Sequence, residues 1–145
     1  MKQNLSVGER FGFEYVVPLE KTVPYIFPDL KEDSLYLPEV FATGFLVGLI
    51  EAACIRHLEK TVGPQEGSLG IHIDISHEAP TPPGMKVTVE VEISKVQGPK
   101  VEWSVLVRDE VDIIAKGRHE RFILKWSKFR SRLERKKDKR QISTN

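Results

Sequence analysis

The stretch VFATGFLVGLIEAACIRHLEK, Val40 to Lys60, decides how the rest of the chain is read. It predicts a long helix starting near Thr43, whose hydroxyl is placed to cap the free amides of the first turn. The first three turns are apolar nearly all round: Phe45, Leu46, Val47, Leu49, Ile50, Ala52 and Ala53. Charge returns only at Arg56, His57, Glu59 and Lys60. A helix hydrophobic on every side is expected to be buried on every side. One residue breaks the pattern. Glu51 sits among Val47, Gly48, Cys54 and Ile55, its neighbours one turn away, and none of these carries a charge to neutralise it. Burying an unpaired carboxylate is costly enough that such a group shifts its pKa or finds a partner.

Outward from this helix, strands fill most of the chain. EYVVPLE, residues 14 to 20, reads as a first strand, and a segment punctuated by Pro24, Pro28 and Pro38 reads as a loop or lid. After the turn VGPQEG, the alternation in LGIHIDISHEA puts Leu69, Ile71, Ile73, Ile75, His77 and Ala79 on one face. Gly70, His72, Asp74, Ser76 and Glu78 then take the other. MKVTVEVEISKV directs Val87, Val89, Val91 and Ile93 inward, and a turn at Gln97, Gly98 and Pro99 leads to VEWSVLVRD, with Val101, Trp103, Val105 and Val107 aligned. A last strand runs through VDIIAKGRHERFIL. A buried helix followed by four antiparallel strands predicts an α+β protein with the sheet curled around the helix. That is the hot-dog fold, a curved antiparallel sheet wrapped around a long central helix. One such sheet covers one side of the helix, so the rest is expected to be covered by the N-terminal loop or by a second copy in a homodimer.

At 145 residues, 40% hydrophobic and 30% charged, the chain fits one soluble domain. Residues 1–130 are expected to form it, with 131–145 a basic tail, partly disordered. The start has no apolar signal-peptide core, the longest apolar run is too short to cross a bilayer, and the single cysteine excludes an intrachain disulfide. A cytoplasmic protein without membrane attachment is expected. The net charge of +1 hides an asymmetry: Lys125 to Arg140 holds nine Lys or Arg against Glu134 and Asp138, leaving −6 on the remainder. A solvated helix explains this surplus, and a patch for a phosphate-bearing ligand is the functional alternative. Trp126, Phe129 and Leu133 recur at helical spacing, so the first part is expected to dock. Nucleic-acid binding is not expected, because no recognised motif accompanies the charge.

Two titratable groups point into the same core, Glu51 from the helix and His77 from the strand. With Thr43 at the helix entrance they suggest a site rather than isolated structural residues. Eight helical residues separate Thr43 from Glu51 by about 12 Å, so substrate, water or His77 is expected between them. Backbone amides near Gly44 are available to polarise a carbonyl oxygen. Cys54 in apolar company reads as an inert thiol. His57, His72, His77 and His119 lack metal-ligand spacing, so no metal is expected, and no Gly-rich nucleotide loop or GxSxG elbow occurs.

The blocks VGERF, VVPLEKTV, PEVFATGFLVGLIEAACIRHL, EGSLG, SHEAPTPPGMKVTVEVE and KGRHER, in this order, resemble the fluoroacetyl-coenzyme A thioesterase family, from about Val7 to Phe129. The resemblance implies hydrolysis of a short acyl-CoA thioester, with no metal or redox cofactor. It places a catalytic Thr, Glu and His on Thr43, Glu51 and His77. Residues that hold the acyl group fall on Gly70 and Arg121. Where the fluoroacetate-resistance enzyme gates its acyl pocket with a phenylalanine, this chain has Leu37, which implies a broader short-chain specificity. The competing readings are a hot-dog hydratase and a non-enzymatic acyl-CoA-binding or sensing module.

Overall fold

The computed structural model describes residues 4–144, with side chains as far as Arg140. The end of the basic tail expected at 131–145 therefore lies outside the described side chains, and Asn145 outside the described residues. Five strands, β1 (Arg10–Val16), β2 (Glu66–Ile75), β3 (Lys86–Gln97), β4 (Lys100–Arg108) and β5 (Ile113–Lys125), form one antiparallel sheet in the order β1-β3-β4-β5-β2. Helix α1 (Thr43–Leu58) meets β1, β3 and β2 on the sheet's inner face, and α2 (Trp126–Thr144) continues directly from β5.

Alternation builds the core as expected from β3 and β4. Val87, Val89, Val91, Ile93, Val101, Trp103, Val105 and Val107 are all buried, as are Leu46, Leu49, Ile50, Ala53 and Cys54 of α1. The β3–β4 hairpin turns on Gly98, whose φ of 59° is a left-handed conformation that glycine adopts without steric cost. At the β4–β5 turn, the Asp109 carboxylate accepts from the Val111 and Asp112 amides and from the buried Thr81 hydroxyl. Burial pushes the Asp109 carboxyl up, but these hydrogen bonds outweigh it and hold it below its ordinary range.

Several expectations are corrected. The first strand begins at Arg10 and ends at Val16, and Leu19–Lys21 is a single 3-10 turn. Pro18 ends the run, having no amide to donate to a ladder. Helix α1 is not enclosed on every side by its own chain: Thr43, Gly44, Gly48 and Ile55 are exposed, and Glu51 is half-buried. Thr43 is not the cap. Ala42 holds that position without a side-chain bond, and the Thr43 hydroxyl is engaged elsewhere.

The face assignment in β2 fails up to Gly70 and holds after Ile71, where Ile73 pairs with buried His119 and Ile75 packs against the core. The register against β5 slips between Gly70 and His72, so Ile71 is an extra residue that inverts the alternation. Before the bulge, Gly70 and Ser68 stand opposite Arg121 and Ile123, which are both buried. Gly70 thus faces α1 rather than away from it. His77 lies beyond the strand, which ends at Ile75.

The basic segment is helical, and its first turn docks. The Trp126 amide donates to the Gln65 carbonyl at 3.0 Å, and the Trp126 and Phe129 rings meet edge-on. A β-carbon at Gly67 would fall 1.8 Å from Trp126 Cζ2, so only glycine there admits the indole.

Candidate active site

The first group of polar side chains forms at the N-terminus of α1. The chain enters the helix over a fixed path: the Phe41 amide donates to the Thr81 carbonyl at 2.7 Å and the Ala42 amide to that of Lys21 at 3.0 Å. This places Thr43 Oγ1 2.7 Å from His77 Nδ1. His77 is held from both flanks, because the Ser76 and Glu78 amides donate to the Lys116 and Ile114 carbonyls of β5 at 2.8 and 2.7 Å. Its Nε2 is buried without a hydrogen-bond partner. Burial lowers the His77 pKa, opposed in part by the backbone of Ala79, so the ring is neutral at pH 7. Thr43 and His77 border a cleft of about 250 Å³ that also involves Val23, Val40, Phe41 and Pro80. The first-turn amides of α1 have no intrahelical carbonyl to bond, which makes this end electropositive.

The second group lies two turns further along α1, and it supplies the partner that Glu51 lacks locally. Glu51 Oε2 accepts from Arg121 Nη1 at 2.9 Å. Arg121 is nearly enclosed, with 4% side-chain exposure against 42% for Glu51. The rest of the guanidinium is also engaged: Nε donates to Ser68 Oγ at 2.8 Å, Nη2 to the Ser68 carbonyl at 3.0 Å, and Nη1 reaches His119 Nε2 at 3.1 Å. Gly70 completes the set. A β-carbon there would lie 2.9 Å from Glu51 Oε2 and 3.3 Å from Arg121 Nη1. The absent side chain leaves the carboxylate its position.

Thr43 and His77 are therefore brought together, as are Glu51, Gly70 and Arg121, while about 12 Å of helix axis separates Thr43 from Glu51. His77 is the partner of Thr43. Gly44 and Gly48 are exposed along the helix between these two groups, and a β-carbon at Gly48 would meet nothing within 4 Å. Leu37 is half-buried at the end of the Pro-punctuated segment. Cys54, beneath this site, has its thiol pushed up to about 12, chiefly by burial, so it is no nucleophile at neutral pH. Among the described residues no three His, Cys, Asp or Glu side chains are grouped as metal ligands, and no helix is long and apolar enough to cross a membrane.

Two contributors escaped the sequence reading, Ser68 and His119. The signal for His119 was available: His119, Arg121 and Ile123 alternate along one face of β5, and all three are buried. Ser68 had no such signal, because the bulge that sets its direction is invisible in the residue pattern.

Comparison with known proteins identifies the family. The family model described as FlK, fluoroacetyl-CoA-specific thioesterase, matches residues 29–127. This chain belongs to the fluoroacetyl-CoA-specific thioesterase family. A fluoroacetyl-CoA thioesterase from Streptantibioticus cattleyicolor is 46% identical over 136 residues, covering 94% of this chain and 97% of that protein. The crystal structure of a point mutant of the fluoroacetyl-CoA-specific thioesterase FlK superimposes with a TM-score of 0.88 at 45% identity, covering 93% of this chain and 99% of that one. A thioesterase superfamily member from Thermus thermophilus gives 0.84 at 28% identity, over 97% and 98% of the two chains. The sheet wrapped on α1 is thus the hot-dog fold.

Proposed function

We propose that this protein is a cytoplasmic acyl-CoA thioesterase that hydrolyses short-chain acyl-CoA thioesters to the free acid and CoA. Thr43, Glu51 and His77 form the reacting group, and Leu37, Gly44, Gly70 and Arg121 surround the acyl end. The observation that carries this reading is the half-open Glu51 carboxylate, fixed by buried Arg121 and left room by Gly70. A structural ion pair needs no such opening.

In this reading the acyl tail points to Gly70 and Arg121, and the thioester carbonyl lies over exposed Gly44 and Gly48, between Glu51 and the first turn of α1. Amides of the first helical turn polarise the carbonyl oxygen, where negative charge grows as the tetrahedral intermediate forms. Glu51 takes a proton from the attacking water. The carbon–sulfur bond then breaks, and the proton that Glu51 took from water passes through solvent to the departing thiolate, while the Thr43 hydroxyl, ordered by neutral His77, steadies the sulfur. No step calls for a metal or redox cofactor.

The active form is a homodimer. The exposed residues of α1 and the free edge of β2, with Ile71 47% and Ile73 38% exposed, offer a second copy an apolar surface beside the site. A monomer by light scattering at micromolar concentration would overturn this assembly. For the activity, thiol release from acetyl-, propionyl- and fluoroacetyl-CoA is followed with a chromogenic thiol reagent. Turnover of at least one is expected. Tight binding of these esters without thiol release would favour an acyl-CoA-binding module instead.

A further inference from the structure

We propose that His119 is a positioning residue that orients Arg121 onto Glu51 through a single neutral tautomer of its ring. The inference rests on the thioesterase reading for its kinetic consequence, and on hydrogen-bond chemistry alone for the tautomer.

His119 is wedged between two groups of fixed character. Its Nδ1 lies 2.8 Å from the His72 carbonyl oxygen, which can only accept, so Nδ1 carries the proton. Its Nε2 lies 3.1 Å from Arg121 Nη1, which can only donate, so Nε2 is bare. Both bonds form at once only in the neutral ring protonated at Nδ1. The imidazolium would turn an N–H against the guanidinium.

The ring is also held in plane. It stacks on Trp103, with centroids 6.4 Å apart and 21° between the rings, and the Trp103 indole donates to His57 Nδ1 at 2.9 Å. The β2 bulge contributes as well: the register slip between Gly70 and His72 occurs immediately before the carbonyl that fixes Nδ1. Ser68 grips Nε and Nη2 of Arg121, and His119 takes the side of Nη1 that Glu51 does not. Without the bare Nε2, Nη1 loses one of the two acceptors that define its direction.

The charged groups that face His119 set its response to acid. Burial chiefly lowers its pKa, Arg121 adds to the lowering, and Glu51 and Glu120 oppose it, as does the bond to the His72 carbonyl. The neutral ring persists at pH 7.

Two measurements test the proposal. Long-range ¹⁵N–¹H correlation on the ¹⁵N-labelled wild type should show His119 neutral and protonated at Nδ1 at pH 7. Protonation at Nε2, or an imidazolium at that pH, would overturn it. Kinetics on acetyl-CoA then compare His119→Phe, which keeps the stacking but removes the acceptor, with His119→Gln, which retains one. Phe should lower kcat roughly ten- to hundredfold, the scale of a small misplacement near reacting groups. Gln should recover most of that loss, and KM should change by less than about threefold in both, because Arg121 remains at the acyl end. Equal activity of the Phe variant and wild type, or equal loss in both variants, would sink the proposal. If the wild type hydrolyses no thioester, the enzymatic reading fails while the tautomer is still decided by resonance frequencies.

Discussion

Glu51 and Arg121 stand 70 positions apart in the sequence, yet Oε2 and Nη1 meet at 2.9 Å. The two partners are unequal, since the cation is enclosed and the anion remains accessible to solvent. Ser68 and His119 keep Arg121 hydrogen-bonded when a neutral acceptor replaces Glu51, although the buried guanidinium then loses its paired carboxylate and some stability with it. Glu51→Gln preserves an oxygen for Nη1 but removes the proposed base. Turnover of acetyl-CoA should fall at least about 10²-fold, the usual scale for such a group. Circular dichroism should still report a folded protein. Near-normal turnover in a folded variant would remove Glu51 from the chemistry.

Gly70→Ala separates activity from stability. The new methyl would lie 2.9 Å from Glu51 Oε2 and 3.2 Å from His119 Cε1. The nearest atom is the end of a flexible, half-exposed side chain, so Glu51 moves and the backbone stays. The melting temperature should therefore shift little, within the range of ordinary surface substitutions. Turnover should drop roughly tenfold or more, because the carboxylate leaves its productive position. A large loss of stability with retained turnover would mean that Gly70 serves packing only.

What the sequence made legible follows from how local each feature is. The start of α1 at Thr43 and the inward valines of β3 and β4 are set by short-range pattern, and these were readable. Glu51 stood out because its helical neighbours offer it no charge. Its partner arrives from β5, and no local rule links the two. The inward side of β2 is reversed only as far as Gly70, because one extra residue, Ile71, inverts a period of two. His77 reached its position by a different route from the one expected, as the strand ends at Ile75 and bonds to Lys116 and Ile114 carry the chain onward. His119 is legible from the sequence, since it alternates with Arg121 and Ile123 on one face of β5.

Three histidines make the fold sensitive to acid. His57, His77 and His119 all have pKa values lowered, in each case chiefly by burial. Their ordinary value near 6.5 applies to the unfolded chain. As pH falls below about 6.5, the unfolded state takes up protons that the folded state refuses, so stability declines towards the lowered folded values. Above that window these groups contribute no slope. Thermal melts should show a flat region near pH 7–8 and a falling melting temperature on acidification through about pH 6. His57→Gln, outside the proposed reacting group, should reduce that slope. The acid limb of kcat/KM should likewise lie below 6.5, because His77 stays neutral there. An acid limb above 6.5 would contradict the assignment of His77.

The identity of residue 37 should set how the protein ranks its substrates. Leu37 is half-buried where the Pro-punctuated segment leads into the entrance of α1, four residues before buried Phe41. The resemblance drawn from the sequence puts a gating phenylalanine at this position, and an aliphatic side chain cannot close the pocket with an aromatic face. The wild type should therefore show little preference for fluoroacetyl-CoA over acetyl-CoA. Leu37→Phe should move the ratio towards the fluorinated ester, but modestly, because one side-chain contact discriminates by only about 1–3 kcal/mol. The comparison is kcat/KM for both esters on both proteins. Arg121, Gly70 and Glu51 are untouched by the change, so the acetyl rate serves as the internal reference. A wild type already strongly selective for fluoroacetyl-CoA would show that discrimination resides at the Gly70–Arg121 end of the pocket and not at Leu37.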